Sequence, residues 1–579
     1  MKKQLKYKQG EVVVINNNKN GDHCFKQGTF VLIYEIIQGK GEGYYIAHNI
    51  FNEADAWAIG DENIKGRLSE VYHINNRAMP ATLLCDFYKI SHRVLYPEGT
   101  EYIYSTLVPR NNKYLPVADG VVVFQIQAFI KEYLIEYFNK NFFNRGLFDV
   151  VCEYARVIQH TLGGVVDVSH IIALHKLGYL PIRIEAVPEG TLVPFNTPVL
   201  TIENTHPDFF WLTNYLETLI SMELWKPMTS ATIARQYRLL LDKYAIETTG
   251  STEGVDFQAH DFSMRGMDGL YPAAASAAAH LLFHRGTDTI AGIWHLEKYY
   301  NADVKEELVG TSIPATEHSV MSALTPASSD RDEEKAVEYI ITKGYPEGLV
   351  SIVFDTYDFW RNVTEVLPNL KDKIMARNGK VVIRPDSGDP VDILCGTYEP
   401  KPTHMAQKFA KSFEEFGLIE CLWNIFGGTI NEQGYKVLDP HIGAIYGDSI
   451  TLERAEQILE KLKLKGFAST NIVFGIGSFT YQYNTRDTLG FAIKATNAVI
   501  NGVEVPLLKD PKTDSKKKSH SGRVAVIRNL TDNKISVIDR QPAGLKPTRS
   551  ILQTVFEDGK LLIDVTLNEI RETVKKDLK

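Results

Sequence analysis

The sequence predicts an α/β protein centred on a parallel (β/α) barrel, with a mixed α+β domain before it and a small all-β domain at the N-terminus. Beyond residue 254, six short apolar runs end abruptly in polar or glycine-rich residues: VDFQA at His260-Asp261-Phe262, LVGTSI at Pro314 and then Glu317-His318, LVSIVF at Asp355, VVI at Arg384 and Asp386, IGAIY at Gly447-Asp448, and NIVF at Gly475-Ile476-Gly477-Ser478. Helical periodicity follows several of them, most clearly in TLERAEQILEKLKLKG (451–466). Parallel α/β folds present chemistry where apolar strands give way to polar loops at the carboxyl edge of the sheet; a doubly wound sheet is the competing arrangement.

Residues 1–75 make the first unit. GEVVVI, GTFVLIYEII and GYYIAHNI are β-rich runs separated by NNNKNGDH and QGKGEG, turn sequences rich in Asn, Gly and Lys. They predict a small antiparallel sheet or barrel, an SH3-like one among the candidates, with an accessory role because it carries no catalytic cluster. Residues 76–253 make the mixed domain. Val121 to about Lys140 reads as an amphipathic helix, 181–205 as strands joined by Pro-Glu-Gly and Asn-Thr-Pro turns, and Phe209 to about Glu247 as two helices split near Pro227. Residues 254–500 make the barrel. Residues 501–579 make a C-terminal segment that returns to the mixed domain and carries the basic loop Lys516-Lys517-Lys518.

A length of 579 residues supports two or three domains. The net charge of −8 argues against nucleic-acid binding or a polybasic membrane-surface protein. No apolar run reaches the ~18 residues that span a bilayer, and the basic start MKKQLKYKQGEVVV has too short an apolar run for a signal peptide. Five scattered cysteines without a CxxC pair suggest reduced thiols in a cytoplasm, not a disulfide framework or a zinc site.

The strand ends suggest a phosphate site. Gly447-Asp448 and Gly475-Ile476-Gly477-Ser478 offer backbone N–H groups on neighbouring strands, and Arg265 and Arg384 offer guanidinium groups for a second anion. Asp355, Asp386 and Asp448 are hard oxygen donors near phosphate, the pattern that goes with loosely held Mg²⁺; each equally serves to orient an arginine or a ribose hydroxyl. Phe262 and Tyr88 can sandwich a planar ring, although aromatic residues more often belong to the core. Asp288 can accept hydrogen bonds from a neutral amide and would repel a carboxylate. His318, beside Glu317, is a candidate base or phospho-acceptor, with a structural histidine as the plain alternative.

From about Met79 to Asp577 the chain resembles the nicotinamide phosphoribosyltransferases. CDFYKISH (85–92), ENTHPDFFWLTNYLET (203–218), HDFSMRG (260–266), RGTDTIAG (285–292), TSIPATEHS (311–319), FDTYD (354–358), IRPDSG (383–388), GD (447–448), TRD (485–487) and KDPKTDSKKKSHSGR (509–523) carry the resemblance, in the family's order. Residues 1–75 lie outside it and look like an added domain. The resemblance implies the type II phosphoribosyltransferase fold, an irregular α/β barrel packed on a mixed domain, in a head-to-tail homodimer with its sites at the interface.

It also implies roles. Phe262 and the other subunit's Tyr88 would stack on nicotinamide, Asp288 would hold the amide, and Arg384 and Asp386 would position carboxamide and ribose, with Ser351 in the same substrate-binding set. Gly447, Asp448, Gly477 and Ser478 would cradle the 5′-phosphate. Arg265, Arg110, Arg486, Lys494, Lys509 and Lys517 would hold or close over pyrophosphate. His318 would be the histidine phosphorylated when ATP is coupled as an optional phosphoryl donor. Asp86, Glu317, His260 and Ser312 would be supporting residues, Mg²⁺ the cofactor, and Asp355 its water-mediated ligand. The implied protein is a cytoplasmic enzyme of NAD salvage, in the host cytoplasm if phage-encoded.

Three departures from the family pattern bear on the donor. Gly475-Ile476-Gly477-Ser478 has fewer consecutive glycines, Gly443 stands where an arginine is usual, and Ser449 replaces the glycine after Gly447-Asp448. A wider mouth would admit an ADP-ribose pyrophosphate donor and give NAD directly. A nicotinate enzyme, a catalytically inactive nicotinamide-binding regulator and a metal-dependent hydrolase are the remaining alternatives.

Overall fold

The structure, a computed structural model, describes residues 78–162, 167–325, 333–398, 412–513, 518–542, 544, 547 and 549–578, together with 6–7, 12–15, 25, 30–37, 44–49, 52–59, 61 and 64–67. The first unit is a five-stranded antiparallel sheet in the order Asn52–Ile59, Tyr44–Asn49, Phe30–Ile37, Val12–Ile15, Ile64–Arg67. Alternation along Val12–Ile15 and Phe30–Ile37 turns Val13, Ile15, Val31 and Ile33 into a small core with Tyr45.

The mixed domain is built on a seven-stranded antiparallel sheet, and its strands come from distant parts of the chain. Thr100–Pro109 and Leu200–Asn204 lie at its centre, flanked by Phe491–Ile500 and Ile182–Ala186; Val503–Pro506 and the Gln553–Glu557 and Lys560–Leu561 strands complete it. The end of the chain therefore pairs with strands laid down some 370 residues earlier, as in Phe556 opposite Ile184.

The barrel strands run parallel in the order Gly286–Thr287, Ala259–Asp261, Ile472–Ile476, Ile442–Tyr446, Val381–Arg384, Val350–Val353. The sequence predicts LVGTSI as one of the six, and here the structure differs. That run forms no strand; Thr311 bridges to Gly286 and Ala315 bridges to Ser351. A single irregular stretch thus joins the two edge strands and closes the ring. Pro314, which has no N–H to donate, explains why this closure is a pair of bridges and not a ladder.

Two further expectations are corrected. Val121–Val122 is a short strand, and the helix predicted from Val121 begins at Ile126, running to Phe143 with much of its length wound i→i+5. Pro227 does not split its helix: Glu217–Thr249 is one 33-residue helix with the proline inside it. The Thr229 and Thr232 hydroxyls donate to the carbonyls of Trp225 and Met228, both at 2.7 Å, around the proline turn. Burial holds the helix together. Leu219, Ile220, Leu224 and Met228 belong to the mixed-domain core, and Ile233, Tyr237, Leu241 and Tyr244 to the barrel core. The two halves bury different faces, so the helix has no single apolar stripe.

The predicted helix after Gly447-Asp448 is found at Leu452–Leu464, with Thr451 as N-cap accepting from the Arg454 N–H. The four described cysteines are free. Among the described residues no helix is long and apolar enough to cross a membrane.

Candidate active site

A cavity of about 470 Å³ enters the barrel at the carboxyl ends of its strands and continues toward their amino ends. His260 and Gly286 are paired on adjacent parallel strands, which brings Asp288 beside the His260 ring. His260 Nε2 donates to Asp288 Oδ1 at 2.8 Å, and Ser312 Oγ donates to the same oxygen at 2.5 Å. A Cβ on residue 286 would lie 2.6 Å from His260 Nδ1, so only glycine allows this approach. Burial pushes the Asp288 carboxyl up, but the bonds from His260 and Ser312 and the nearby positive charge of Arg384 outweigh it and hold the group below the usual carboxylate range.

Phe262 stands at the mouth, its ring 4.7 Å from that of His260. Two glycines make room for it: a Cβ on Gly475 would fall 2.4 Å from Phe262 Cδ2, and one on Gly447 would fall 3.3 Å from it. The GIGS reading is corrected accordingly. Gly475 lies within the Ile472–Ile476 strand and accommodates the ring, leaving Gly477-Ser478 as the turn. A Cβ on Gly477 would be 4.0 Å from the Gly447 carbonyl, which sets the two glycine loops side by side.

Arg384 donates to the Thr316 carbonyl at 2.8 Å and lines the cavity, as does Ser351, whose buried hydroxyl has no protein partner among the described residues. His318 is half-exposed. Its Nδ1 is 3.1 Å from Thr356 Oγ1, and its Nε2 is 3.7 Å from Asp386 Oδ2 and 4.0 Å from Asp355 Oδ1. Asp355 Oδ2 accepts from the Asp386 N–H at 3.0 Å and from Ser387 Oγ at 2.6 Å, so this carboxylate shapes the Asp386 turn. Its Oδ1 is buried without a hydrogen-bond partner among the described residues. Glu317 accepts from Ser319, and Arg265 is exposed with no protein partner among the described residues.

The remaining candidates lie elsewhere. Tyr88 is 58 % exposed and packs its ring edge-on to His92 at 5.3 Å, away from Phe262. Asp86 accepts from Thr218 Oγ1 at 2.7 Å. Arg110, Lys494 and Lys509 share a small crevice on the mixed domain with Lys518. Burial there pushes the Lys494 ammonium down, although Glu217 at 3.6 Å favours its charge. Arg486 is exposed, and Lys517 lies outside the described residues. Among the described residues, no hydrogen bond, ion pair or ring contact joins this set to the barrel mouth.

Sequence reasoning missed Lys380, a half-buried lysine lining the cavity. A Cβ on Gly443 would lie 3.3 Å from Lys380 Cδ, so the lysine stem passes beside this glycine. A lysine directly before an apolar strand, with a glycine on the neighbouring strand, is the signal that could have found it.

Comparison with known proteins gives the family and the fold. The profile of the Nicotinate phosphoribosyltransferase (NAPRTase) family matches residues 257–560, and that of the Nicotinamide phosphoribosyltransferase N-terminal domain matches 81–184. A nicotinamide phosphoribosyltransferase of Acinetobacter baylyi is 48 % identical over 505 residues, 85 % of this chain and 96 % of that protein. One from Mycoplasma pneumoniae is 36 % identical over 477 residues, covering 77 % and 96 %. The crystal structure of human nicotinic acid phosphoribosyltransferase superposes with a TM-score of 0.52 at 16 % identity, covering 85 % of this chain and 93 % of that one. Nicotinate-nucleotide pyrophosphorylase from Pyrococcus furiosus gives 0.51 at 15 % identity, covering 88 % and 97 %. These two establish the type II phosphoribosyltransferase fold. With one domain profile spanning the barrel and relatives this similar over most of its length, the chain belongs to the nicotinamide phosphoribosyltransferase family.

Proposed function

We propose that this protein transfers the 5-phosphoribosyl group of 5-phosphoribosyl pyrophosphate to the ring nitrogen of nicotinamide, forming nicotinamide mononucleotide and pyrophosphate in NAD salvage. Asp288 is the observation that carries the reading. Asp288 lines the cavity; one of its oxygens is occupied by His260 and Ser312, and the other has no protein partner among the described residues. A carboxylate held anionic suits the N–H groups of a carboxamide and repels the carboxylate of nicotinate.

The nicotinamide ring nitrogen carries its own lone pair, so the reaction needs no strong general base. Phe262 and the partner subunit's Tyr88 hold the ring, Arg384 and Ser351 meet its amide side, and Asp386 holds the ribose. Gly447, Asp448, Gly477 and Ser478 receive the 5′-phosphate on backbone N–H groups. Attack at the anomeric carbon forms the C–N bond as the C–O bond to pyrophosphate breaks, and the electron pair leaves with pyrophosphate. Positioning and preorganised charge supply the acceleration.

Mg²⁺ belongs to the same reading. Among the described residues no group of three or more His, Cys, Asp or Glu could cage an ion. Asp355, whose Oδ1 has no hydrogen-bond partner among the described residues, and Asp386 would hold the cation beside the pyrophosphate group. When bound it neutralises charge on the leaving group. The exposed His318, with Thr356 on Nδ1, is the acceptor for a coupled phosphoryl group from ATP.

The homodimer is part of the proposal. The separation of Tyr88, Arg110, Lys494 and Lys509 from Phe262 within one chain is what a head-to-tail pair would repair. Incubation with nicotinamide, 5-phosphoribosyl pyrophosphate and Mg²⁺, read by mass, should give nicotinamide mononucleotide. Equal or better turnover of nicotinate would overturn the assignment.

A further inference from the structure

We propose a second donor subsite beside the phosphate cradle, suited to the nucleoside of a donor whose 5′-phosphate is esterified. This rests on Gly447, Asp448, Gly477 and Ser478 being the cradle. The residues that follow the two pairs in the chain, Ser449 and Phe479, line one cavity of about 480 Å³ together with Thr451, Glu453, Arg454 and Gln457. A group attached to a phosphate in the cradle therefore has this space adjoining it.

The walls suit a nucleotide. Phe479 and Tyr483 are 59 % and 81 % exposed, yet their rings are held parallel, with centroids 5.4 Å apart and planes 5° from coincidence. Two large rings stacked at the surface form a platform on which a planar base can lie. Ser449 sits at φ 54°, a left-handed conformation unfavourable for serine, with Oγ donating to Asp448 Oδ2 at 2.9 Å. Its carbonyl accepts from Arg454 NH1 at 2.7 Å, which anchors the guanidinium beside the cradle while its remaining N–H groups have no protein partner among the described residues. A second phosphate would meet that guanidinium, and Glu453 and Gln457 can accept from ribose hydroxyls or an exocyclic amine.

The occupant is the AMP portion of an ADP-ribose-type donor carrying pyrophosphate at C1. Nicotinamide N1 would attack C1, the C1–N1 bond forming as C1–O breaks, and the electron pair would leave with pyrophosphate. A dinucleotide then forms in one step without oxidation or reduction.

Calorimetric titration of the purified full chain with ribose 5-phosphate and with ADP-ribose tests the subsite. ADP-ribose should bind about 5- to 150-fold tighter, the range that one base–aromatic stack is worth. Phe479→Ala should remove that gain and leave ribose 5-phosphate binding unchanged, which also reports that the variant folds; Phe479→Trp should retain the gain. Equal affinity for the two ligands overturns the subsite alone. So does a Phe479→Ala variant that keeps ADP-ribose affinity but changes oligomeric state by light scattering, since the ring pair would then be a subunit contact. Failure of ribose 5-phosphate itself to bind the wild-type protein overturns the cradle and the subsite together.

Discussion

His260 and Asp288 are joined by a 2.8 Å hydrogen bond at the carboxyl ends of two adjacent parallel strands, and the missing side chain of Gly286 allows it. The bond leaves one Asp288 oxygen for a ligand. Two predictions follow from it directly.

Asp288→Ala should raise the KM for nicotinamide about 10- to 150-fold, the value of a hydrogen bond to a charged group. The donor KM should change by less than about threefold, because in the proposed role Asp288 meets only the amide. Steady-state kinetics with each substrate varied in turn gives the comparison. A uniform loss of both would count against the amide role.

His260→Leu should shift the acid limb of the kcat/KM profile for nicotinamide to higher pH. The Asp288 carboxyl is held below its usual range in the folded protein, so its anionic form, and the affinity it confers, is lost as pH falls through that depressed folded pKa. Removing the His260 donor raises the folded pKa, and the loss begins at higher pH. The same depression contributes stability above the ordinary carboxylate range that disappears as pH falls through the folded pKa. A purely structural His260 would lower activity evenly and leave the limb where it was.

Gly475→Ala should destabilise the protein by about 1–3 kcal/mol, the usual cost of overpacking. Its Cβ would meet Phe262 Cδ2 at 2.4 Å and the Gly447 backbone at 2.6 Å, and the nicotinamide KM should rise with displacement of the ring. Gly443→Ala is the control: its nearest neighbour is the flexible Lys380 stem at 3.3 Å. Denaturant unfolding of both variants separates the cases, and equal stability would refute the packing argument.

Tyr88→Ala and Phe262→Ala should each be nearly inactive, and an equimolar mixture refolded together should recover about a quarter of wild-type activity. Half of the dimers would be mixed, and one of their two sites would have both aromatic residues intact. No recovery would mean that each site is built within one chain.

His318→Ala should retain synthesis from nicotinamide and donor while losing stimulation by ATP. Incorporation of the γ-phosphate into wild-type protein, stable to base and labile to acid, is the direct check. Unchanged stimulation in the variant would remove His318 from that role.

Much of the barrel was legible because its signal is local. Val381–Arg384 and Ile442–Tyr446 are apolar runs that stop at charged or glycine residues, and Thr451 caps the helix that follows the latter. The helix through Pro227 was not legible, because its halves bury different faces in two cores and no single stripe runs its length. LVGTSI has the composition of a strand, but only its neighbours decide whether its backbone is paired along its length or at two points.

By itself the sequence determined the chemistry: the order of the family motifs, the alternation of strand and helix beyond residue 254, and the residue types at each strand end. Tertiary structure decided which of these meet. It closed the barrel through 311–315, set Gly475 against the Phe262 ring and Asp288 against His260, and left Tyr88 and the basic crevice apart from the mouth. The physical reason is distance along the chain. Strand, turn and cap preferences act over a few residues and can be read in order, whereas these meetings join positions tens to hundreds of residues apart, through packing that no local preference encodes.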